Sequence, residues 1–220
     1  MGVSDFMLLG AKKSLIAWLR EQGITDENVL NAFDVVERHR FIPNTVLLNR
    51  AYENTPLPIG CGQTISQPIT VAFQSQLLNI QPDEKVLEIG TGSGFQAAIL
   101  SAMGAKVHSI ERQLDLFRRT RILLNNKLKI KNVFMYYGDG FAGLPDKAPF
   151  DKIIVTCGAP NVPPALFQQL KVGGIMVIPV GDGVQQMLRI TKISESEYNT
   201  ETFGEFKFVP MLQKTVINQK

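Results

Sequence analysis

The chain has 220 residues, 45% of them apolar, enough to bury a sizeable core in one globular unit. Its 23 basic and 20 acidic residues leave a formal charge of +3, too small an excess to require a nucleic acid or an anionic membrane as partner. No apolar run approaches the roughly 18 residues of a membrane span, Asp5, Lys12 and Lys13 break any signal-peptide pattern, and two cysteines set no disulfide framework, so a cytoplasmic protein is expected.

Leu15, Ile16, Trp18 and Leu19 follow a helical stripe that ends near Gly23, with Trp18 reading as a core or lid residue. Thr25 reads as the N-cap of a second helix, with Asp26 and Glu27 in its first turn and Val29, Leu30, Phe33 and Val36 along one face. The run Arg38-His39-Arg40-Phe41-Ile42-Pro43 closes this segment. It reads as a solvated helix end, the alternative being an attractor for a carboxylate substrate. Residues 56–68 carry Pro56, Pro58, Gly60, Gly62 and Pro68, which predicts an irregular stretch with no regular element. Pro68 then opens a third helix with Ile69, Phe73, Leu77 and Ile80 on one side.

Residues 85–94, Lys-Val-Leu-Glu-Ile-Gly-Thr-Gly-Ser-Gly, read as a buried strand running into a glycine turn. Phe95 to Leu100 has helical composition and stops at Gly104, a C-cap, before a second strand, Lys106 to Glu111, that ends in an acid. Strand, glycine loop, helix and a strand-terminal acid make the nucleoside cradle of doubly wound α/β folds, the acid being placed to accept from a ribose diol. Further on, Leu114, Phe117, Leu124 and Leu128 mark a helix whose other face carries Arg118, Arg119 and Arg121, read as a wet face. Val133–Tyr137, Phe150–Thr156 and Ile175–Val180 read as the next strands; Pro163 and Pro164 open, and Gly173-Gly174 close, the helix between the last two. Met187 to Ile193 and Thr202 to Val209 alternate apolar and polar residues and read as an antiparallel pair finishing the sheet. His39 and His108 are isolated, and no metal-ligand spacing occurs.

The spacing Glu88-x-Gly90-x-Gly92-x-Gly94 differs from the dinucleotide pattern G-x-G-x-x-G, which packs a pyrophosphate on a helix N-terminus. With an acid two residues before the first glycine, it resembles the S-adenosylmethionine loop of Rossmann-like methyltransferases, and an acid suits a cationic ligand better than a phosphate. Glu88 has a second reading as a carboxylate tied to backbone N–H groups, and a nicotinamide enzyme is the competing cofactor class.

Two segments narrow the resemblance. Gly62-Gln63-Thr64-Ile65-Ser66-Gln67-Pro68 followed by Val86 to Phe95 is similar to the protein-L-isoaspartate O-methyltransferase family, with Gly138-Asp139-Gly140, Pro149-Phe150-Asp151, Gly173-Gly174 and Phe208-Val209-Pro210 falling where that family has similar segments. The likeness runs from about residue 38 to 211. It implies a Rossmann-like α/β methyltransferase fold: a mostly parallel, doubly wound sheet with a C-terminal antiparallel strand pair and an N-terminal helical extension. The expected division is 1–80 for helices and active-site loop and 81–220 for the cofactor-binding core. The implied activity is methyl transfer from S-adenosylmethionine to the free carboxylate of L-isoaspartyl, and more weakly D-aspartyl, residues in damaged proteins by a monomeric enzyme.

The resemblance also implies residue roles. Ser66 lies at the active site; Gln63, Thr64 and Ile65 line the substrate side. Glu88, Gly90, Thr91, Gly92, Gly94, Glu111 and Arg112 bind the cofactor, and Asp139 and Gly140 match the segment that contacts its adenine. Three segments depart from the family pattern: Ile69-Thr70, Thr156-Cys157-Gly158-Ala159-Pro160 and Met211-Leu212-Gln213. An acceptor carboxylate is already ionised at neutral pH, since its ordinary pKa is about 4, and requires no general base. Ser66 therefore reads as an orienting hydroxyl rather than a covalent nucleophile, with helix capping near Pro68 as its alternative. Cys61 and Cys157 read as thiols without a role. Competing functions are a small-molecule methyltransferase and a catalytically silent nucleoside-binding module.

Overall fold

The computed structural model describes residues 5–217; the outermost residues of the expected division, 1–4 and 218–220, lie outside them. Helix α1 (Asp5–Glu21) buries Leu8, Leu15 and Leu19. Helix α2 (Glu27–Val35) is capped by Asp26, whose carboxylate accepts from Asn28 N at 2.9 Å, and not by Thr25. The reason lies across the fold: the Thr25 and Asp26 N–H groups donate to the Gln76 amide oxygen at 2.7 and 3.0 Å, which starts the helix one residue later.

Arg38 is neither solvated nor available to a substrate. It is 1% exposed, its guanidinium carbon 5.0 Å from the Phe95 ring centre, with Nε donating to the Ala51 carbonyl at 2.8 Å and Nη2 to that of Thr55 at 3.3 Å. Burial pulls its pKa down to about 9, so it stays charged at neutral pH. Phe33 and Phe41 meet the same Phe95 edge-on at 5.7 and 5.5 Å, which docks the N-terminal segment on the first turn after the glycine loop.

Residues 56–68 are not irregular throughout. Strands β1 (Leu57–Gly60) and β2 (Gln63–Ile65) form an antiparallel hairpin whose turn, Gly60-Cys61-Gly62, has positive φ at all three residues. Proline and glycine mark the turn but permit short strands on either side of it. Helix α3 (Pro68–Leu78) starts at its proline as expected. Its deepest face is Thr70, Val71, Gln74, Ser75 and Leu78, while the predicted stripe of Ile69, Phe73 and Leu77 is half-buried. The C-terminal strand covers that stripe, with Phe73 stacked 5.7 Å from Phe206.

The sheet has seven strands: β3 (Lys85–Ile89), β4 (Lys106–Glu111), β5 (Val133–Tyr137), β6 (Phe150–Val155), β7 (Leu170–Val180), β8 (Gln185–Lys192) and β9 (Tyr198–Phe206), in spatial order β5-β4-β3-β6-β7-β8-β9. The first five are parallel, and β8 and β9 add the antiparallel pair. Helix α4 (Phe95–Ala102) ends in a Schellman closure: Ala105 N bonds Leu100 O, Gly104 N bonds Ser101 O, and Gly104 has φ +98°. Helix α5 (Leu114–Ile122) continues into a π-turn over Leu123–Lys127, and α6 (Pro164–Gln169) stops earlier than predicted. Gly173 and Gly174 do not close α6. They sit in a bulge within β7, where pairing jumps from Phe150↔Leu170 to Lys152↔Ile175 and a Cβ on Gly174 would meet the Asp151 carbonyl at 2.8 Å.

One sheet face, with Val86, Val107 and Ile154, packs on α3, α4 and α5; the other, with Leu87, Ile153 and Met176, packs on α6 and the loop after β5. Strand order reverses at β3, so a crevice opens beyond the carboxyl ends of β3, β4 and β6. Replacing the buried guanidinium tests the N-terminal docking. Arg38→Ala leaves two carbonyls unpaired and a void over Phe95, and it is expected to lower unfolding free energy by roughly 2–4 kcal/mol in urea titrations; a change within error would remove Arg38 from the fold's supports.

Candidate active site

Every backbone N–H of the glycine turn but one is consumed inside the protein. Gly90 N and Thr91 N both donate to Ile110 O, at 2.9 and 3.1 Å, Gly94 N to Thr91 O at 2.8 Å, and Phe95 N to the Ser93 hydroxyl at 3.3 Å. Gly92 N donates to Glu111 Oε2 at 2.8 Å, and the other carboxylate oxygen accepts from Gln113 N at 2.8 Å. A turn wired in this way has almost no donors left for a pyrophosphate and presents a carboxylate instead. This disfavours the dinucleotide alternative on geometry.

Three glycines let the turn lie flat. A Cβ on Gly90 would sit 2.7 Å from Thr156 Oγ1, whose hydroxyl donates to Gly90 O at 2.7 Å. One on Gly140 would sit 2.4 Å from Ile89 Cγ2. Gly94 (φ +85°) is N-cap of α4 and backs onto Thr120 and Leu124, so it serves the turn from behind and does not line the cavity.

The crevice encloses about 830 Å³ of space, part of it open to solvent. Gly90, Thr91, Gly92, Glu111, Arg112 and Gly140 face it on the loop side, and Gln63, Thr64, Ile65 and Ser66 on the hairpin side. Besides Gly94, two predicted residues do not line it. Asp139 accepts from Phe141 N at 2.9 Å and from Lys214 N at 2.7 Å, which ties down the C-terminal segment. Glu88 lies beneath the loop, fully buried, accepting from the Ser109 hydroxyl, which shares a 2.5 Å hydrogen bond with Thr91 Oγ1. Its partner is thus a side-chain hydroxyl, not the backbone N–H groups of the second reading. Burial pushes Glu88 up to about 8, against the Ser109 hydrogen bond, with a smaller push from the charge of Glu111. Burial also raises Glu111, opposed by the N–H groups it accepts from.

Several lining residues carry no sequence motif. The C-terminal strap, Val209 to Leu212, crosses the opening, held by Met211 N to Gly158 O at 2.7 Å and by the Arg112 side chain, which donates to the carbonyls of Lys214 and Gln213. Gln96 and Gln113 each place a buried amide oxygen without a protein partner among the lining residues. Cys157 lies beside Gly90, its thiol pushed up to about 12 mainly by burial, hence inert at neutral pH. Neither histidine lines the cavity. His39 pairs with the Tyr52 hydroxyl and His108 with that of Tyr136, with burial pulling His108 down to about 4. Among the described residues no group of potential metal ligands occurs.

These features fit a cation rich in hydrogen-bond donors. Ile89, Ile110 and Met211 offer an apolar slab for a purine face; Glu111 and the two unpaired amide oxygens offer acceptors for hydroxyl and amino groups. S-adenosylmethionine has those groups and no phosphate. Ser66 makes no cap bond to α3, whose N-cap is Gln67, and it lines the same cavity.

Comparison with known proteins agrees with this geometry. Residues 10–216 match the family model described as protein-L-isoaspartate(D-aspartate) O-methyltransferase. The chain is 50% identical over 204 residues to the protein-L-isoaspartate O-methyltransferase of Flavobacterium psychrophilum, covering 93% of this chain and 95% of that one. It is 50% identical over 217 residues to that of Cytophaga hutchinsonii, covering 98% and 97%. A solved protein-L-isoaspartate O-methyltransferase superposes with TM-score 0.83 at 28% identity over 90% of this chain; the chain spans 65% of that protein's length. A Plasmodium falciparum structure described by the same activity, in complex with S-adenosyl-L-homocysteine, superposes with TM-score 0.79 at 26% identity, covering 91% of this chain and 97% of that one.

The raised Glu88 pKa yields a pH prediction. The unfolded chain titrates near 4.5 and the folded one near 8, so the folded state holds the proton more tightly. The stability this provides is fully present below about pH 4.5 and is lost as pH rises toward about 8. Glu88→Gln does not titrate. Its thermal midpoint relative to the parent is expected to climb between about pH 5 and about pH 8 and then level off. A difference that stays flat across that window would show that Glu88 ionises normally.

Proposed function

The chain belongs to the protein-L-isoaspartate(D-aspartate) O-methyltransferase family, and from that premise we propose how its own residues methylate the free α-carboxylate of an isoaspartyl residue, the carboxylate left when the peptide bond runs through the side chain. The observation that carries the reading is the meeting, in one cavity, of a glycine turn wired for a cationic nucleoside and the Gln63–Ser66 segment of the hairpin. Bound S-adenosylmethionine supplies an electrophilic methyl group on a sulfonium. Everything else asked of the protein is placement, since transfer needs the acceptor oxygen in line and about 3 Å from the methyl carbon.

The turn, Glu111 and the Gln96 and Gln113 amides hold the cofactor; Arg112 and Asp139 act one step removed by fastening the strap that closes over it. The Ser66 hydroxyl donates one hydrogen bond to the acceptor carboxylate, turning its other oxygen toward the methyl group. A stronger set of donors would stabilise the anion before transfer and slow it, so a single hydroxyl suits the task. No proton has to be removed from an ionised carboxylate, and the position of both histidines outside the cavity agrees with that. Leu212, next to Met211 on the strap, adds apolar surface on the substrate side, giving an acceptor site that relies on Gln63, Thr64 and Ser66 for its polar contacts.

The methyl ester so formed is activated for cyclisation to a succinimide, which opens in part to normal aspartate. The proposal extends to D-aspartyl residues as weaker acceptors and to a monomer working in the cytoplasm. Two cysteines in the whole chain suit a reducing compartment, and no helix among the described residues is long and apolar enough to cross a membrane.

Base-labile methyl incorporation from labelled S-adenosylmethionine into two peptides differing only in aspartyl or isoaspartyl linkage tests the acceptor. Label in the isoaspartyl peptide alone is expected, and equal or absent labelling would send the search to another acceptor. Ser66→Ala is expected to lower kcat about 100-fold while S-adenosylhomocysteine affinity, read by calorimetry, stays within about twofold. A weakened cofactor affinity with normal turnover would move Ser66 to the cofactor side.

A further inference from the structure

Arg119 and Thr120 are neighbours on α5, and each reaches a different wall of the cavity. Thr120 Oγ1 donates to the Gly92 carbonyl at 2.7 Å, on the cofactor side. The Arg119 guanidinium donates through Nη2 to the Ile59 carbonyl, on strand β1 of the hairpin. A Cβ on Gly60 would lie 3.5 Å from Arg119 Nη1, and one on Gly92 would lie 3.4 Å from Ile59 Cδ1. The glycine turn is therefore held between β1 and α5, and the three pieces close a ring of contacts.

The hairpin needs such an anchor. Its pairing is limited to Leu57↔Ile65, Pro58↔Thr64 and Gly60↔Gln63, with Ile59 bulged between them and without a register partner. Pro58 has no N–H to give the ladder, and Cys61 adopts a positive φ of 54° that L side chains rarely take. A two-stranded hairpin of this size is marginal by itself. Its far end is fixed where Ser66 and Gln67 run into α3, whereas the turn end rests on Arg119 and on the packing of Ile59.

We propose that Arg119 is a positioning residue for methyl transfer, locking the hairpin that carries Gln63, Thr64 and Ser66 to the same helix that holds the glycine turn. The inference rests on the methyl-transfer reading above and adds a residue that touches neither cofactor nor acceptor. Arg119 is exposed on its outer side, where hydrogen bonds and ion pairs contribute little to global stability. Its effect is on geometry, and a displacement of about 1 Å between reacting groups costs on the order of 100-fold in rate.

The full chain is compared with Arg119→Ala, Arg119→Lys and Arg118→Ala, the last changing an exposed arginine one residue away. Arg119→Ala is expected to lower kcat on an isoaspartyl peptide at least about tenfold, with S-adenosylhomocysteine affinity within about threefold and an unchanged thermal midpoint. Arg119→Lys recovers most of the rate, and Arg118→Ala matches the parent. In the S-adenosylhomocysteine-bound protein, backbone hydrogen exchange over residues 57–66 speeds up in Arg119→Ala alone. Parental kcat and parental exchange over 57–66 would overturn the assignment. So would a fall in kcat matched by equal losses of cofactor affinity and thermal midpoint, which marks a merely structural role. Should the parent itself leave the isoaspartyl peptide unmethylated, the methyl-transfer reading fails, and the exchange comparison alone decides whether Arg119 anchors the hairpin.

Discussion

Glu111 ends β4 with its two carboxylate oxygens spoken for by Gly92 N and Gln113 N, and that pair of hydrogen bonds joins two elements the sheet brings side by side. The turn after β3 is bent toward β4 by it, and the start of α5 is set by it. Because all but one of the remaining N–H groups of the turn go to Ile110, Thr91 and Ser93, the loop presents a carboxylate where a phosphate-binding loop presents donors. The preference for a cationic nucleoside over a dinucleotide is thus a consequence of where backbone hydrogen bonds end.

Around that turn the protein spends buried polar groups with economy. Glu88, Ser109 and Thr91 form a chain from the sheet interior to the loop, and Gln96 reaches Ser75 on α3 at 2.8 Å while its amide oxygen stays without a protein partner. Buried acceptors left unpaired are costly, and such groups gather where a ligand completes them. Arg38 plays the opposite part: its charge is used wholly for structure, holding the Ala51 and Thr55 carbonyls and capping Phe95 from the side away from the cavity. A buried arginine beside a site therefore needs its hydrogen bonds traced before it is counted as substrate-binding.

The strands and helices of the core were legible because their signals are local. Val86, Leu87 and Ile89 form a buried run, Gly104 terminates α4, and Pro68 starts α3, each by a preference the residue carries wherever it stands. The misread elements depend on partners far along the chain. Thr25 loses the cap of α2 because Gln76 takes its N–H, Gly173-Gly174 form a bulge because β6 is beside them, and the 57–65 hairpin exists because α5 and the glycine turn support it.

The candidate site divides along the same line. By itself the sequence determined the glycine turn and the strand-end acid, since their chemistry follows from residue type and spacing, whereas the Gln63–Ser66 segment was legible only through its resemblance to the family. Tertiary structure alone decided which of them share a cavity: it placed Glu88 and Asp139 behind the lining, drew the 209–212 strap across the opening, and turned the amides of Gln96 and Gln113 inward without partners. It also separated Arg119 from the wet arginine face by giving it the Ile59 carbonyl. The physical reason is that hydrogen-bond satisfaction and burial are properties of neighbours in space, and the neighbours here come from β1, β4, α5 and the C-terminal strap, which the chain brings together only on folding.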